Sequence, residues 1–200
     1  AEFDMLLADT EYGLTQIAEL VMSLKDFSRV DRSQSQLFDL NEGIETALKI
    51  CNSQLKDGVK VTRMFAELPQ ISCAPSQLNQ VFLNLITNAA QAMDGNGQIC
   101  IRSSFDDGFV EVAISDTGSG MDEDTRAHIF EPFFTTKPVG KGTGLGLSIV
   151  FRIIEDHGGT IRVESELGKG TEFFIRLPVA GVSKNPDILL EQDVVVLGDA

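Results

Sequence analysis

The chain has 200 residues, of which 42% are hydrophobic and 23% charged, a make-up typical of a soluble globular protein with one main core. Its 30 acidic and 16 basic residues give a formal net charge of -14, which disfavours a nonspecific grip on nucleic acid or on an anionic membrane. Any bound phosphate would therefore have to be held locally, by backbone amides, a metal ion and a few lysines.

The three cysteines, Cys51, Cys73 and Cys100, are scattered without a CxxC pair, so neither a disulfide framework nor a zinc site is suggested. We interpret them as inert thiols in a reducing cytoplasm. No apolar run approaches the ~18 residues of a membrane span, and residues 1–20 lack the basic start of a signal peptide. We expect a cytoplasmic fragment without direct membrane contact, from a parent protein that is either soluble or membrane-anchored.

The first 30 residues carry apolar side chains at spacings of three and four, which predicts a long amphipathic helix. Its stripe consists of Leu7, Leu14, Ile17, Val21 and Leu24. The stripe must be buried against the rest of this chain, a missing neighbour or a second copy. Its near-heptad rhythm favours a helical hairpin or bundle over simple docking, and the polar residues that follow, up to residue 36, are interpreted as a linker.

Predicted helices and strands then alternate along the chain. In order, they are a helix at 39–55, strands at 59–66 and 68–72, a helix at 75–93, strands at 99–105 and 109–115, helices at 123–129 and 145–157, and strands at 160–165 and 171–177. Asp39 with Glu42 resembles a capping box, and Pro75 suits the first turn of a helix. Asp107-Gly108 is a hairpin signal, and Gly168-Lys-Gly170 marks a second turn.

Strands and helices mix here without a regular βαβ rhythm, which predicts an α/β two-layer sandwich with helices on one face of a mixed sheet. We expect this domain to occupy residues 37–178, after an N-terminal segment at 1–36. The tail at 179–200 is apolar and acidic, and the sequence assigns it no role.

Asn84 and Asn88 lie four residues apart in the long predicted helix, so their amides share one face. Val81, Leu85 and Ala92 mark the neighbouring strip that faces the core. The carbonyl oxygen of an asparagine is an acceptable ligand for Mg²⁺. Taken alone, the pair is a weak signal, because most such asparagines are surface or capping groups.

The motif Asp116-Thr-Gly-Ser-Gly-Met121 follows directly on a predicted strand. A carboxylate at a strand end can accept the exocyclic amine of adenine, and the glycines let the backbone approach a base closely. A tight strand-to-helix turn with Met121 capping the core explains the same residues equally well.

Three aromatic residues, a threonine pair and a lysine follow in the segment 130–137. Phe133 and Phe134 are candidates for anchoring a mobile lid, with Lys137 reaching a phosphate. The alternative is a hydrophobic patch on the core with a solvated lysine.

A glycine-rich loop, Gly140-Lys-Gly-Thr-Gly-Leu-Gly-Leu-Ser148, leads straight into a helix. Its backbone can curl around phosphate oxygens, and the amides and dipole of the helix start favour an anion. It is neither a Walker loop nor a Rossmann fingerprint. Each of the four motifs is a weak signal alone, whereas all four in this order are a strong one.

Together these motifs resemble the catalytic domain of histidine kinases, in the wider ATPase superfamily with gyrase, Hsp90 and MutL. The N box resembles 84–89, the G1 box 116–120, the F box 130–137, the G2 box 142–147 and the final glycine motif 168–171. The likeness covers about residues 37–178 and implies the Bergerat ATP-binding fold, and the run 130–148 is similar to the nitrogen-regulation type of kinase.

The resemblance implies that the bound ligands are ATP and Mg²⁺. Asp116 would hold the adenine amine with Thr171 supporting it through water, and Asn88 would ligate the metal. Asn84, near the γ-phosphate, and Lys137 would be the catalytic residues. The residues implied around the nucleotide are Asn88, Gln91, Asp116, Gly118, Gly120, Met121, Lys137, Gly142, Thr143, Gly144, Leu145, Gly146 and Thr171.

The resemblance also implies partners. Residues 1–30 are similar to the second helix of the dimerisation and phosphotransfer hairpin, so we expect a homodimer through this helix. The first helix, with the histidine of its H box, would be a missing partner, and the receiver domain of a response regulator would accept the phosphoryl group next. No nucleic-acid partner is expected.

Two further features bear on the reaction. His128 and His157 do not stand in an H-box context, and we interpret them as a helix-surface residue and a helix C-terminal residue favoured by the dipole. ATP-hydrolysing relatives carry a water-activating glutamate where this chain has Asn84, which cannot act as a general base. A histidine kinase is therefore expected, and the alternative is a non-catalytic nucleotide-binding interaction module.

Overall fold

A computed structural model describes residues 35–52, 55, 58–138 and 142–180. The predicted N-terminal helix, the tail beyond residue 180, and Gly140 and Lys141 of the glycine-rich motif lie outside the described residues. The division of the chain at residues 36 and 178 stays a prediction.

In the described part the chain forms seven strands and four helices. They are β1 Gln36–Phe38, α1 Leu40–Cys51, β2 Gly58–Phe65, β3 Ile71–Cys73, α2 Pro75–Ala92, β4 Asn96–Asp106, β5 Phe109–Asp116, α3 Glu123–His128, α4 Gly146–Asp156, β6 Thr160–Glu166 and β7 Gly170–Pro178.

Local sequence signals account for most of these boundaries. The Asp39 side chain accepts hydrogen bonds from the backbone N–H groups of Asn41 and Glu42, which caps α1, and Pro75 occupies the first turn of α2. Asp107 and Gly108 both have positive φ, 47° and 77°, as a two-residue hairpin turn between β4 and β5 requires.

Two predicted boundaries were wrong. The first helix ends at Cys51 and not near Leu55, because the N–H of Asn52 bonds to the carbonyl of Lys49, three residues back, and tightens the last turn. The linker was predicted to reach residue 36, but Gln36 begins the strand β1, Gln36–Phe38, which was not predicted. This strand pairs antiparallel with β3, Leu37 opposite Ser72, and a pairing between such distant segments leaves no local signal.

The main sheet has the strand order β2-β4-β5-β7-β6, in which β2 and β4 run parallel and the other neighbours antiparallel. Helices α1, α2 and α4 cover one face, with α2 packed against both of the others. The predicted two-layer architecture is confirmed. None of the helices in the described part combines the length and apolar character needed to cross a lipid bilayer.

On the three strands β5, β7 and β6, the cross-strand rows on the helix-facing side are apolar until the last one. Ile114, Phe173 and Val163 form one such row across β5, β7 and β6. Two residues further along each strand, Asp116, Thr171 and Ser165 stand opposite one another in the next row. Three neighbouring strands thus switch from apolar to polar side chains at one end of the sheet.

Candidate functional site

Helix α2 is the element of the candidate site that the loops of the other motifs contact. Asn84, Asn88 and Ala92 follow one another at intervals of four residues, about 6 Å of helix each, on one face. Val81 and Leu85 are fully buried on the neighbouring strip, as predicted, whereas Ala92, predicted for the same strip, lies on the face of the asparagines and is only partly buried. Each of the three partly buried positions on this face meets a different loop, and these loops carry the other motifs.

The loop after β5 meets the C-terminal end of α2. The N–H of Ser119 donates to the carbonyl of Ala92 at 3.1 Å. A Cβ atom at Gly118 would lie 2.7 Å from the Cβ of Ala92, so only glycine allows this close approach. The predicted Asp-Gly motif therefore packs directly on the helix that carries the asparagines.

Asp116 ends β5 with its side chain partly withdrawn from water. Burial raises the pKa of its carboxyl, and hydrogen bonds from the backbone N–H groups of Gly118 and Thr171 partly oppose that increase. The Gly118 N–H lies 2.8 Å from the carboxylate oxygen. The carboxylate is thus fixed in orientation and keeps acceptor capacity for a further donor.

Gly120 and Met121 connect this loop to the β6–β7 hairpin. Gly120 has φ +63°, and a Cβ there would lie 2.0 Å from the carbonyl oxygen of Glu166. The N–H of Met121 donates to the hydroxyl of Ser165 at 2.9 Å, while its side chain packs against the core.

Ser165 is not among the predicted site residues, although the sequence carries a signal for it. Along β6 the helix-facing positions are Ile161, Val163 and Ser165, so the serine stands where the alternation calls for an apolar residue.

The aromatic segment is anchored on the core by only part of its side chains. Phe130 stacks near Phe151, with ring centroids 5.3 Å apart, and Phe134 packs against the core. Phe133 is 66% exposed and adopts the left-handed φ of 69°. Of the two phenylalanines predicted as anchors, Phe134 contacts the core whereas Phe133 is largely exposed, and a mobile lid stays a prediction.

Lys137 reaches back to α2. Its Nζ atom donates to the side-chain oxygen of Asn88 at 3.2 Å and to that of Gln91. Burial lowers the pKa of its ammonium group, and no acidic partner offsets that effect in these contacts. The alternative of a merely solvated lysine does not hold, because Lys137 places a positive charge against the asparagine predicted to ligate a metal.

The described part of the glycine-rich loop lies on the aromatic segment. The N–H of Phe133 donates to the carbonyl of Gly144 at 2.8 Å, and a Cβ at Gly144, where φ is +66°, would lie 2.3 Å from the carbonyl carbon of Phe133. A Cβ at Gly142 would approach the Thr135 hydroxyl to 2.7 Å.

The end of the same loop is tied to α2 and to the core. The Asn84 side-chain amide donates to the carbonyl of Gly146 at 3.3 Å. Leu145 is 1% exposed and fills the core, and its N–H bonds to the hydroxyl of Thr143 at 3.4 Å. Helix α4 starts at Gly146, so its free N–H groups lie beside Asn84.

All four motifs therefore meet along one helix. The loop after β5 lies at Ala92, Lys137 at Asn88 and Gln91, and the glycine-rich loop at Asn84. We call this face of α2 and the loops on it the groove; a carboxylate stands at one end of it, and a lysine and a helix N-terminus stand toward the other. The arrangement suits an elongated ligand with a hydrogen-bonding ring at one end and negative charge at the other.

Neither histidine belongs to this groove, since both form hydrogen bonds with backbone groups elsewhere. The exposed His128 bonds through Nδ1 to the carbonyl of Asp124, a helix-surface position as expected. Nε2 of His157 accepts from the N–H of Ala74 at 3.1 Å while Nδ1 donates to the carbonyl of Ile153 at 2.7 Å. These contacts place His157 at the helix end, as predicted, with both ring nitrogens bonded to backbone groups.

Comparison with known proteins agrees with this geometry. Residues 73–181 match the model of the family described as histidine kinase-, DNA gyrase B- and HSP90-like ATPase. The chain belongs to this family. Its described part is the ATPase domain of a sensor histidine kinase, with the mixed sheet and one-sided helices of that fold.

Several relatives resemble the chain beyond this domain. It is 37% identical over 173 residues to the sensor histidine kinase ZraS of Escherichia coli (strain K12), covering 86% of this chain and 37% of ZraS. Full-length ShkA in complex with AMPPNP has a TM-score of 0.75 and 26% identity, over 91% of this chain and 39% of ShkA.

The histidine kinase ThkA, solved in complex with the response regulator protein TrrA, has a TM-score of 0.70 and 29% identity, over 84% of this chain and 48% of ThkA. This chain therefore spans well under two thirds of the length of these relatives.

Proposed function

We propose that this chain binds Mg-ATP in the groove along α2 and delivers the γ-phosphoryl group to a histidine on a separate helix. The main support for the proposal is that Asp116, Lys137 and the glycine-rich loop all come together along the one helix that carries Asn88, α2. The resemblance to ShkA, which was solved with the ATP analogue AMPPNP, supports the choice of nucleotide.

Adenine occupies the Asp116 end of the groove. The oriented carboxylate accepts the exocyclic amine of the base. Gly118 and Gly120 let the loop after β5 pack closely on Ala92 and Glu166, which fixes this loop beside the base, and Met121 supplies an apolar surface there. Thr171 is 8% exposed and its N–H also orients the Asp116 carboxylate, so it supports base binding from β7.

The phosphates occupy the other end. Backbone amides from Gly142 to Gly146 and the N-terminus of α4 offer N–H groups and a favourable dipole to anionic oxygens. Lys137 supplies a positive charge that is bonded to two neutral amide oxygens, so phosphate oxygens can replace them.

Asn88 fits the proposed role of magnesium ligand. Its side-chain oxygen already accepts from a cationic group, the ammonium of Lys137, which supports a role in binding a cation. When bound, Mg²⁺ neutralises charge on the phosphate oxygens. Gln91 shares Lys137 with Asn88 and holds the lysine beside this position.

Transfer to a histidine is favoured over hydrolysis by the residue at position 84. Asn84 cannot remove a proton from water, and its amide is bonded to the carbonyl of Gly146. Catalysis would then rest on positioning and charge neutralisation. Because His128 and His157 are both engaged in local hydrogen bonds, the acceptor histidine comes from an H-box helix outside the described residues.

The partners follow from the same proposal. The N-terminal segment pairs with the H-box helix and with a second copy in a homodimer, and a receiver domain accepts the phosphoryl group from the histidine. The complex of ThkA with TrrA supports a response regulator as partner. A non-catalytic nucleotide module is less well supported, since Asn88, Asp116, Lys137 and the GTGLG loop are all present.

Mixing the chain with a separately produced H-box hairpin and γ-labelled ATP tests the kinase proposal. We expect acid-labile label on the hairpin and none on the chain alone, with a hairpin whose histidine is replaced as control. Measurable ATP binding without any label on the hairpin would contradict the kinase function. Stable label on His128 or His157 would contradict the external acceptor.

We expect Gly144→Ala to weaken ATP binding at least tenfold, on the order of 1.4 kcal/mol. The new methyl group would collide with the Phe133 carbonyl and push the glycine-rich loop off the aromatic segment. Gly108→Ala is the matched control, because Gly108 has φ +77° but nothing within 4 Å of its Cβ position. Calorimetric titration should show normal ATP affinity in the control, and equal losses in both variants would disprove the steric explanation.

A further inference from the structure

The polar row at the end of the sheet contains a residue that base binding by Asp116 and Thr171 does not explain. Ser165 stands directly opposite Thr171, which stands opposite Asp116. Its hydroxyl accepts from the N–H of Met121 at 2.9 Å and lies 3.0 Å from the carbonyl oxygen of Gly170 and 2.9 Å from the hydroxyl of Thr171. It therefore joins both sides of the proposed base pocket.

The Ser165 hydroxyl can donate only one hydrogen bond at a time. Ser165 has one proton to donate, and two acceptors compete for it, the Gly170 carbonyl and the Thr171 hydroxyl. If the proton goes to Gly170, Thr171 donates to Ser165 and shows only lone pairs to the pocket. If it goes to Thr171, the proton of Thr171 is free to donate into the pocket.

These two arrangements present different patterns to a purine. Asp116 is an acceptor in both. With Thr171 as donor, the pocket offers an acceptor beside a donor, which complements the amine and the adjacent ring nitrogen N1 of adenine. With Thr171 as acceptor, two acceptors stand side by side, which complements the N1–H and exocyclic amine of guanine and not the edge of adenine.

We propose that Ser165 is a positioning residue that makes the site specific for adenine. By donating to Thr171 it turns the threonine proton toward N1 of the base, directly or through one water molecule. By accepting from Met121 it holds the loop after β5 against β6. This inference rests on the proposed function, because it assigns a means of selection to the same nucleotide site.

Ser165→Thr and Ser165→Val form the matched pair that tests it, because valine and threonine have nearly the same shape and differ in the hydroxyl. The readout is the ratio of the affinity for ATP to that for 1-deaza-ATP, in which N1 is replaced by a C–H group. A ratio measured on one preparation does not depend on its folded fraction. Ser115→Ala serves as a control, since the Ser115 hydroxyl bonds to the carbonyl of Cys100 away from the polar row.

We expect the unmodified chain, Ser165→Thr and Ser115→Ala to prefer ATP, and Ser165→Val to lose about tenfold of that preference. Equal losses for both nucleotides in Ser165→Val would show a purely structural role and overturn the assignment, as would equal affinities for the two nucleotides in the unmodified chain. Failure of the unmodified chain to bind ATP at all would contradict the proposed function instead.

Discussion

Asp116→Asn is expected to lower ATP affinity by roughly 10- to 100-fold, the loss of a hydrogen bond to a charged acceptor worth about 1.5–3 kcal/mol. The asparagine still accepts from Gly118 and Thr171, but its amide can also donate to a carbonyl of the base, so the preference for ATP over GTP should disappear. Titrations with both nucleotides measure this, and equal affinity of the unmodified chain for ATP and GTP would refute the assignment.

The same substitution should not destabilise the protein. Because burial raises the pKa of Asp116, the folded chain binds this proton more tightly than the unfolded chain does. The stability contributed by this group is therefore present at low pH and is lost as pH rises through the raised pKa. At pH 7 the asparagine removes that cost, so we expect a melting temperature no lower than that of the unmodified chain. A lower value would show that the binding loss reflects unfolding.

Asn88→Ala is expected to remove the magnesium dependence of ATP binding. The substitution deletes the oxygen that now accepts from Lys137 and that is proposed to ligate the metal. We expect the gain in ATP affinity on adding Mg²⁺ to shrink by roughly tenfold, about 1.4 kcal/mol, while affinity measured in a chelator is little changed.

Asn88→Asp is the matched variant, because it keeps an oxygen at the same position. Its magnesium dependence should persist. An unchanged Mg²⁺ titration in Asn88→Ala would remove Asn88 from the metal site, even if the variant still binds ATP.

Much of the fold was predictable because its signals are local. The cap at Asp39, the proline at position 75 and the Asp107-Gly108 turn each act within a few residues. Strand β1 was not predictable in this way, because its only reason to be extended is its pairing with β3 more than 30 residues away.

The residues of the candidate site were likewise predictable where their signal is local, and not where it depends on pairing with a distant segment. Asn84, Asn88, Asp116 and the glycine-rich loop were found as motifs, and the structure brings them to one groove. Ser165 was missed because its meaning depends on which residue it faces across the sheet, and a register is a property of paired strands.

Three other hydrogen bonds could not be predicted from the sequence. The bonds from Lys137 to Asn88 and Gln91, and from Ala74 to His157, join segments that are distant in sequence. Each depends on where a whole loop or helix lies in the fold, and the type of a side chain does not reveal that position.

Residue-resolved NMR during a titration with Mg-ATP tests the central claim most directly. If one nucleotide spans the groove, signals from the amides of Gly118 and Gly144 and from the side chain of Asn88 should all shift and should follow a single dissociation constant. Shifts confined to one of these three positions, or saturation at clearly different concentrations, would contradict a shared site.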